Sequence, residues 1–107
     1  MANDTDGYYF AVDENEVLEG SMKKVTVEGT PILFIKLHGK IFAINNRCPH
    51  MACEFSGGSL DGDIIVCPCH DWRFNLETGE YEDNPWFKLT KYDWIIKSGK
   101  IWVKLDE

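Results

Sequence analysis

An all-β fold is predicted for this 107-residue chain by short β-branched and aromatic runs, by glycine turns between them, and by the lack of a sustained helical period. The runs lie at Tyr8 to Val12, Lys23 to Val27, Ile32 to Leu37, Lys40 to Ile44, Asp63 to Val66, Trp72 to Asn75, Tyr92 to Lys97 and Lys100 to Leu105.

Turn chemistry orders these runs. His38-Gly39 and Ser98-Gly99 each separate two apolar runs, and glycine supplies the positive φ of a tight hairpin. Asp61-Gly62 reads as a third turn. A two-residue loop at Ser98-Gly99 pairs Ile96 with Ile101 and Trp94 with Val103 on one apolar face, expected to face the core. Lys97, Lys100 and Lys104 share the other face. The hairpin around His38-Gly39 carries apolar residues on both faces. Leu33, Ile35, Phe42 and Ile44 lie on one, and Phe34, Ile41 and Ala43 on the other, which predicts a central sheet covered on both sides. His38 itself reads as a turn residue that tolerates an unusual backbone angle, not as a ligand.

Composition is that of an ordinary globular chain, with 44% apolar and 27% charged residues. Without repeats or a dividing linker, residues 1–107 read as a single domain. The longest apolar run, Pro31 to Ile35, is too short to span a bilayer, and the first residues lack the basic and apolar parts of a signal peptide. A cytoplasmic protein without a membrane anchor is expected. Net charge is −7, with six acids and no base between Asp4 and Glu19, but five lysines and one acid between Lys88 and Lys104. This balance argues against a nucleic-acid partner, and an acidic surface can steer a basic protein partner.

The chemistry concentrates in Cys48-Pro49-His50 and Cys67-Pro68-Cys69-His70, separated by 16 residues. Each offers one thiolate and one imidazole, a mixture that suits zinc or iron. Both segments fall in loops, after the run ending at Ile44 and after Asp63 to Val66, and loops on a rigid β scaffold commonly carry sites. Three other arrangements use the same residues. Cys48, His50, Cys67 and His70 can hold a structural zinc ion in a non-redox binding module. Cys48, Cys53, Cys67 and Cys69 can form an all-cysteine iron–sulfur site, although Cys67-Pro68-Cys69 breaks the usual spacing. Cys67 and Cys69 can exchange thiol and disulfide, although the expected motif has two intervening residues. No Ser/His/acid set or phosphate-cradling glycine motif points to an enzyme.

The two boxes, together with Asp61-Gly62-Asp63 and the stretch Phe74 to Gly79, resemble the Rieske family of [2Fe–2S] proteins. The resemblance implies stacked antiparallel sheets with a loop-built cluster-binding tip, Cys48 and Cys67 on the inner iron, and His50 and His70 on the outer one. It also implies a Cys53–Cys69 disulfide bracing the loops, as in respiratory members. Two buried free thiols are the alternative in a reducing compartment, where a shielded bridge would resist reduction. Respiratory members carry serine and tyrosine two and four residues after the second histidine, where this chain has Trp72 and Phe74. Lacking those hydroxyls, and with Asp71 adding negative charge, the cluster is expected low in the Rieske potential range. Asn84-Pro85-Trp86 resembles in placement the proline-containing loop that covers such clusters, so Pro85 and Trp86 join Asp71, Trp72 and Phe74 as candidate cluster surroundings.

The function implied is that of a one-electron carrier, not an enzyme, taking electrons from a reductase and delivering them to a terminal acceptor, an oxygenase first of all. A small redox subunit of a larger nitrite- or arsenite-type oxidoreductase is the second reading.

Overall fold

The structure is a computed structural model that describes residues 7–47, 53–69 and 71–105. Among the described residues, eleven strands form three antiparallel sheets. The first sheet joins β1 (Tyr8–Asp13), β11 (Lys100–Lys104) and β10 (Trp94–Lys97), in that order. The second joins β2 (Met22–Val27), β3 (Thr30–Leu37) and β4 (Lys40–Asn45). The third runs β5 (Ser59–Asp61), β6 (Ile64–Val66), β7 (Arg73–Asn75), β8 (Glu80–Tyr81) and β9 (Asn84–Lys88). The helical content among the described residues is two single 3-10 turns, Glu14–Glu16 and Phe55–Gly57. No helix among them is long and apolar enough to cross a membrane.

The second sheet is central because its pleat is apolar on both sides. β3 pairs with β4 so that Leu33 faces Ile44 and Ile35 faces Phe42 on one side, while Phe34 faces Ala43 on the other. Ile32, Phe34, Ile41 and Ala43 pack with Val12, Ile101 and Val103 of the first sheet. Leu33, Ile35, Phe42 and Ile44 pack with Phe55, Ile65, Cys67, Phe74 and Leu76 beneath the third sheet. Burying each large aliphatic or aromatic side chain contributes about 1.5–3 kcal/mol, so the doubly covered β3–β4 pair anchors both cores.

Tight turns set the registers. Both His38 and Gly39 have positive φ, 55° and 75°, as do Ser98 and Gly99, 57° and 75°. This is the backbone that matches the twist of a two-residue hairpin. A third hairpin of the same kind, Glu28-Gly29 between β2 and β3, is absent from the sequence reading, although its X-Gly pair is the same signal. The turn expected at Asp61-Gly62 closes one residue later, because Asp61 pairs with Ile64 and leaves Gly62 and Asp63 as the loop.

Two expectations require correction. Ile96 does pair with Ile101, but β10 is an edge strand and Ile96 remains 41% exposed while Ile101 is fully buried. Asn84-Pro85-Trp86, read as part of a proline-containing loop, is extended strand. It opens β9 at the edge of the third sheet, where proline costs no ladder hydrogen bond.

Candidate metal centre

The third sheet and the loops that enter it build the tip. The first loop leaves β4 and returns at Cys53; the second connects β6 to β7 through Cys67. Of the predicted ligands, Cys67 lies within the described residues; Cys48, His50 and His70 lie outside them. Accordingly, among the described residues no group of three or more His, Cys, Asp or Glu side chains is placed to hold a metal ion.

Cys67 is fully buried, carries a free thiol, and belongs to the same core as Phe55 and Phe74. Its backbone closes the second loop on itself. The Cys67 N–H donates to the Trp72 carbonyl at 2.8 Å, and the Asp71 N–H donates to the Cys67 carbonyl at 3.0 Å. Closing so short a turn puts Asp71 in the left-handed region, φ 58°, which aspartate tolerates better than most side chains.

Aromatic rings fill the space behind this turn. Trp72 stacks on Tyr81 and meets the edge of Phe87, 5.4 Å between centroids. Phe74 meets Phe55 edge-on at 5.6 Å. Structure therefore brings Cys67, Asp71, Trp72 and Phe74 into one neighbourhood. Trp86, on the opposite face of β9 from Phe87, is 88% exposed.

Sequence reasoning missed the residues that hold the first loop. Asn46 is fully buried and polar, and its backbone and side chain fasten both ends of the loop. Its N–H donates to the Pro31 carbonyl at 3.0 Å, and its own carbonyl accepts from the Phe55 N–H at 2.9 Å. Asn46 Oδ1 accepts from the Ser56 N–H at 2.9 Å, and Asn46 Nδ2 donates to Ser56 Oγ at 3.2 Å. An asparagine just after an apolar strand was the available signal. Gly58 lets the loops touch, because a Cβ there would collide with the Val66 carbonyl oxygen and crowd Pro68 Cδ at 3.2 Å. Lys24 Nζ ties the outside of the loop to β2 through Glu54 at 2.9 Å.

Cys53 and Cys69 are joined in a disulfide with their Cα atoms 6.4 Å apart, linking the first loop to the second. The bridge is not shielded: Cys53 is half-buried, but Cys69 is exposed. It removes both cysteines from the ligand pool, so the all-cysteine site and the Cys67/Cys69 exchange pair fall away. A buried free thiol in an apolar pocket at the loop junction, once two of the four cysteines are paired, fits a mixed cysteine and histidine donor set.

Arg73 bridges Asp61 at 2.7 Å and Glu82 at 3.2 Å, and the Asp61 hydrogen bond holds its guanidinium above the usual arginine range. Farther off, the Glu19 carboxylate caps the β3–β4 turn, accepting from the N–H groups of His38 at 2.6 Å and Gly39 at 3.0 Å.

Known proteins of similar sequence and structure show the family. The ferredoxin component of the naphthalene 1,2-dioxygenase system of Pseudomonas putida is 40% identical over 70 residues, covering 65% of this chain and 67% of that protein. A ferredoxin component of the naphthalene 1,2-dioxygenase/salicylate 5-hydroxylase systems of a Ralstonia species is 33% identical over 93 residues, covering 86% and 89%. A chain in the complex of reduced oxygenase and oxidized ferredoxin in carbazole 1,9a-dioxygenase superposes with a TM-score of 0.82 at 25% identity, covering 98% of this chain and 97% of that one. The model of the Rieske [2Fe–2S] domain matches residues 7–93, from β1 into the approach to the last hairpin. A match of that extent makes this chain a member of the Rieske [2Fe–2S] family, with a [2Fe–2S] cluster as its cofactor.

Proposed function

We propose that this chain is a one-electron carrier that takes electrons from a reductase and delivers them to an oxygenase, with Cys48, His50, Cys67 and His70 holding the cluster. The observation that carries the reading is the buried, unpaired Cys67 thiol at a junction where the other two described cysteines are already bonded to each other. The bound cluster supplies reversible acceptance of one electron, and two neutral imidazoles in place of two thiolates make that acceptance easier.

The protein's part is binding, exclusion of water and presentation. Cys67 binds from inside the core, where Phe55 and Phe74 keep water from its sulfur. Asn46 holds the first ligand-bearing loop in place, and the bridge ties it to the second. On the surface, Trp86 and the half-exposed Phe87 offer an apolar contact for a protein partner. The relatives' printed names and the oxygenase complex support an oxygenase as acceptor. A cytoplasmic carrier drawing electrons from a reductase completes the proposal.

A reconstitution tests it. Purified protein should be coloured, bleach on one-electron reduction, and restore turnover when added to a reductase and a ring-hydroxylating oxygenase. A colourless zinc protein, or a reducible one that never supports turnover, would overturn the reading. For the ligands, His50→Cys and His70→Cys should each lower the midpoint potential and weaken its pH dependence; unchanged electrochemistry removes that histidine from the set.

A further inference from the structure

The two ends of the disulfide meet different surroundings. Cys53 is half-buried and packs against the tip core beside Phe55 and Cys67, whereas Cys69 is exposed at the outside of the second loop. Thiol–disulfide exchange proceeds by attack of a thiolate on one sulfur, and access decides which sulfur is attacked. Here Cys69 is the more exposed of the two bridged residues.

We propose that Cys69 is a thiol-exchange site, the attacked sulfur of a solvent-facing bridge whose opening loosens the loops. The thiolate of a small thiol such as glutathione bonds to Cys69 Sγ as the Cys53–Cys69 bond breaks. Cys53 Sγ leaves with the electron pair and takes up a proton, and a glutathione–Cys69 mixed disulfide remains. A second thiol then attacks this mixed disulfide, releasing glutathione disulfide and a protonated Cys69 thiol. Two electrons have passed from two thiols to the bridge.

The consequence follows from position. The bridge joins Cys69, two residues beyond Cys67, to Cys53, two residues before the 3-10 turn that returns the first loop to the core. Opening it leaves the first loop held by Asn46, Ser56 and the Lys24–Glu54 pair, and the second by its own Cys67–Trp72 and Asp71–Cys67 hydrogen bonds. No hydrogen bond of either set crosses between the loops, which then meet only by packing, of Gly58 against Val66 and Pro68 and of Phe55 with Cys67 in the shared core. This last part rests on the reading of the tip as the cluster site; the exchange chemistry at Cys69 does not.

The experiment treats the whole cluster-loaded protein, without oxygen, with excess reduced glutathione, and quenches with N-ethylmaleimide. Fragment mass spectra should place the glutathione adduct on Cys69 and maleimide on Cys53. An adduct on Cys53, or a bridge intact after prolonged treatment, overturns the exchange site. In parallel, the visible absorbance of treated protein in the presence of an iron chelator should decay several-fold faster than that of untreated protein. Equal rates overturn the loosening while leaving the mapping to judge the exchange site. The Cys53→Ser, Cys69→Ser double variant should match the faster decay and take no adduct at position 69, and the wild-type mapping needs no variant at all.

Discussion

Trp72 lies flat against Tyr81, ring centroids 4.0 Å apart and planes within 2° of parallel, and its carbonyl oxygen holds the Cys67 N–H. The stack therefore backs the turn that presents the buried thiol. Tyr81→Ala should destabilise the protein by about 2 kcal/mol, less than for a fully buried ring. Tyr81→Phe keeps the stack and should cost under about 1 kcal/mol. Urea titrations followed by tryptophan fluorescence measure both, and equal losses for the two variants would assign the effect to the hydroxyl.

Gly58 sits where a Cβ would strike the Val66 carbonyl oxygen. Backbone is a poor partner to push aside, so Gly58→Ala should cost about 1–3 kcal/mol. Gly57→Ala, with Pro68 Cγ at 3.8 Å, should be close to neutral. A similar Tm for the two variants counts against close packing of the loops at Gly58.

Asp71 combines a left-handed backbone with a negative charge beside the second box. Asp71→Val should lose about 1–2 kcal/mol of stability, because a β-branched residue resists that conformation. Asp71→Asn keeps the backbone tolerated and should raise the midpoint potential, since the reduced state carries the additional negative charge. Protein-film voltammetry decides the second point.

Glu19 makes the acid limb of stability partly its own. Hydrogen bonds from the Gly39 and His38 N–H groups hold its carboxyl below the ordinary value of 4.5. A carboxyl depressed in the folded state stabilises it above the unfolded pKa and loses that contribution as pH falls through the folded one. Glu19→Gln should therefore lower stability at neutral pH and flatten the decline below about pH 4.5. Denaturant midpoints at pH 7 and pH 3 give the comparison, and parallel curves would remove Glu19 from the acid response.

The midpoint potential should fall in the lower part of the range of about −150 to +300 mV. Trp72 and Phe74 bring no hydroxyl to the cluster, and both face the same apolar neighbourhood as Cys67. Phe74→Tyr places a hydroxyl in that core and should raise the potential. A strongly positive value for the wild-type protein contradicts the argument.

Much of this was legible in local patterns. The two-sided apolar alternation of residues 32–44 identified the central sheet, because a strand's period of two assigns each side chain to a face before any partner is known. X-Gly pairs marked the hairpins, because few residues tolerate positive φ. The short strands Glu80–Tyr81 and Asn84–Lys88 escaped, since two to five mixed residues carry too few alternations to register. Asn46 and Gly58 escaped for another reason: each matters through what faces it, and no local pattern marks Pro31 or Val66 as that partner.

By itself, then, the sequence determined the all-β class, the central sheet and the donor types available for a metal, all of which depend on side-chain chemistry and short-range spacing. Tertiary structure alone decided that the Cys67 thiol is buried in the core and which end of the Cys53–Cys69 bridge meets solvent. Those outcomes depend on how two loops pack against one another, and burial is a property of the packed chain rather than of any segment in it.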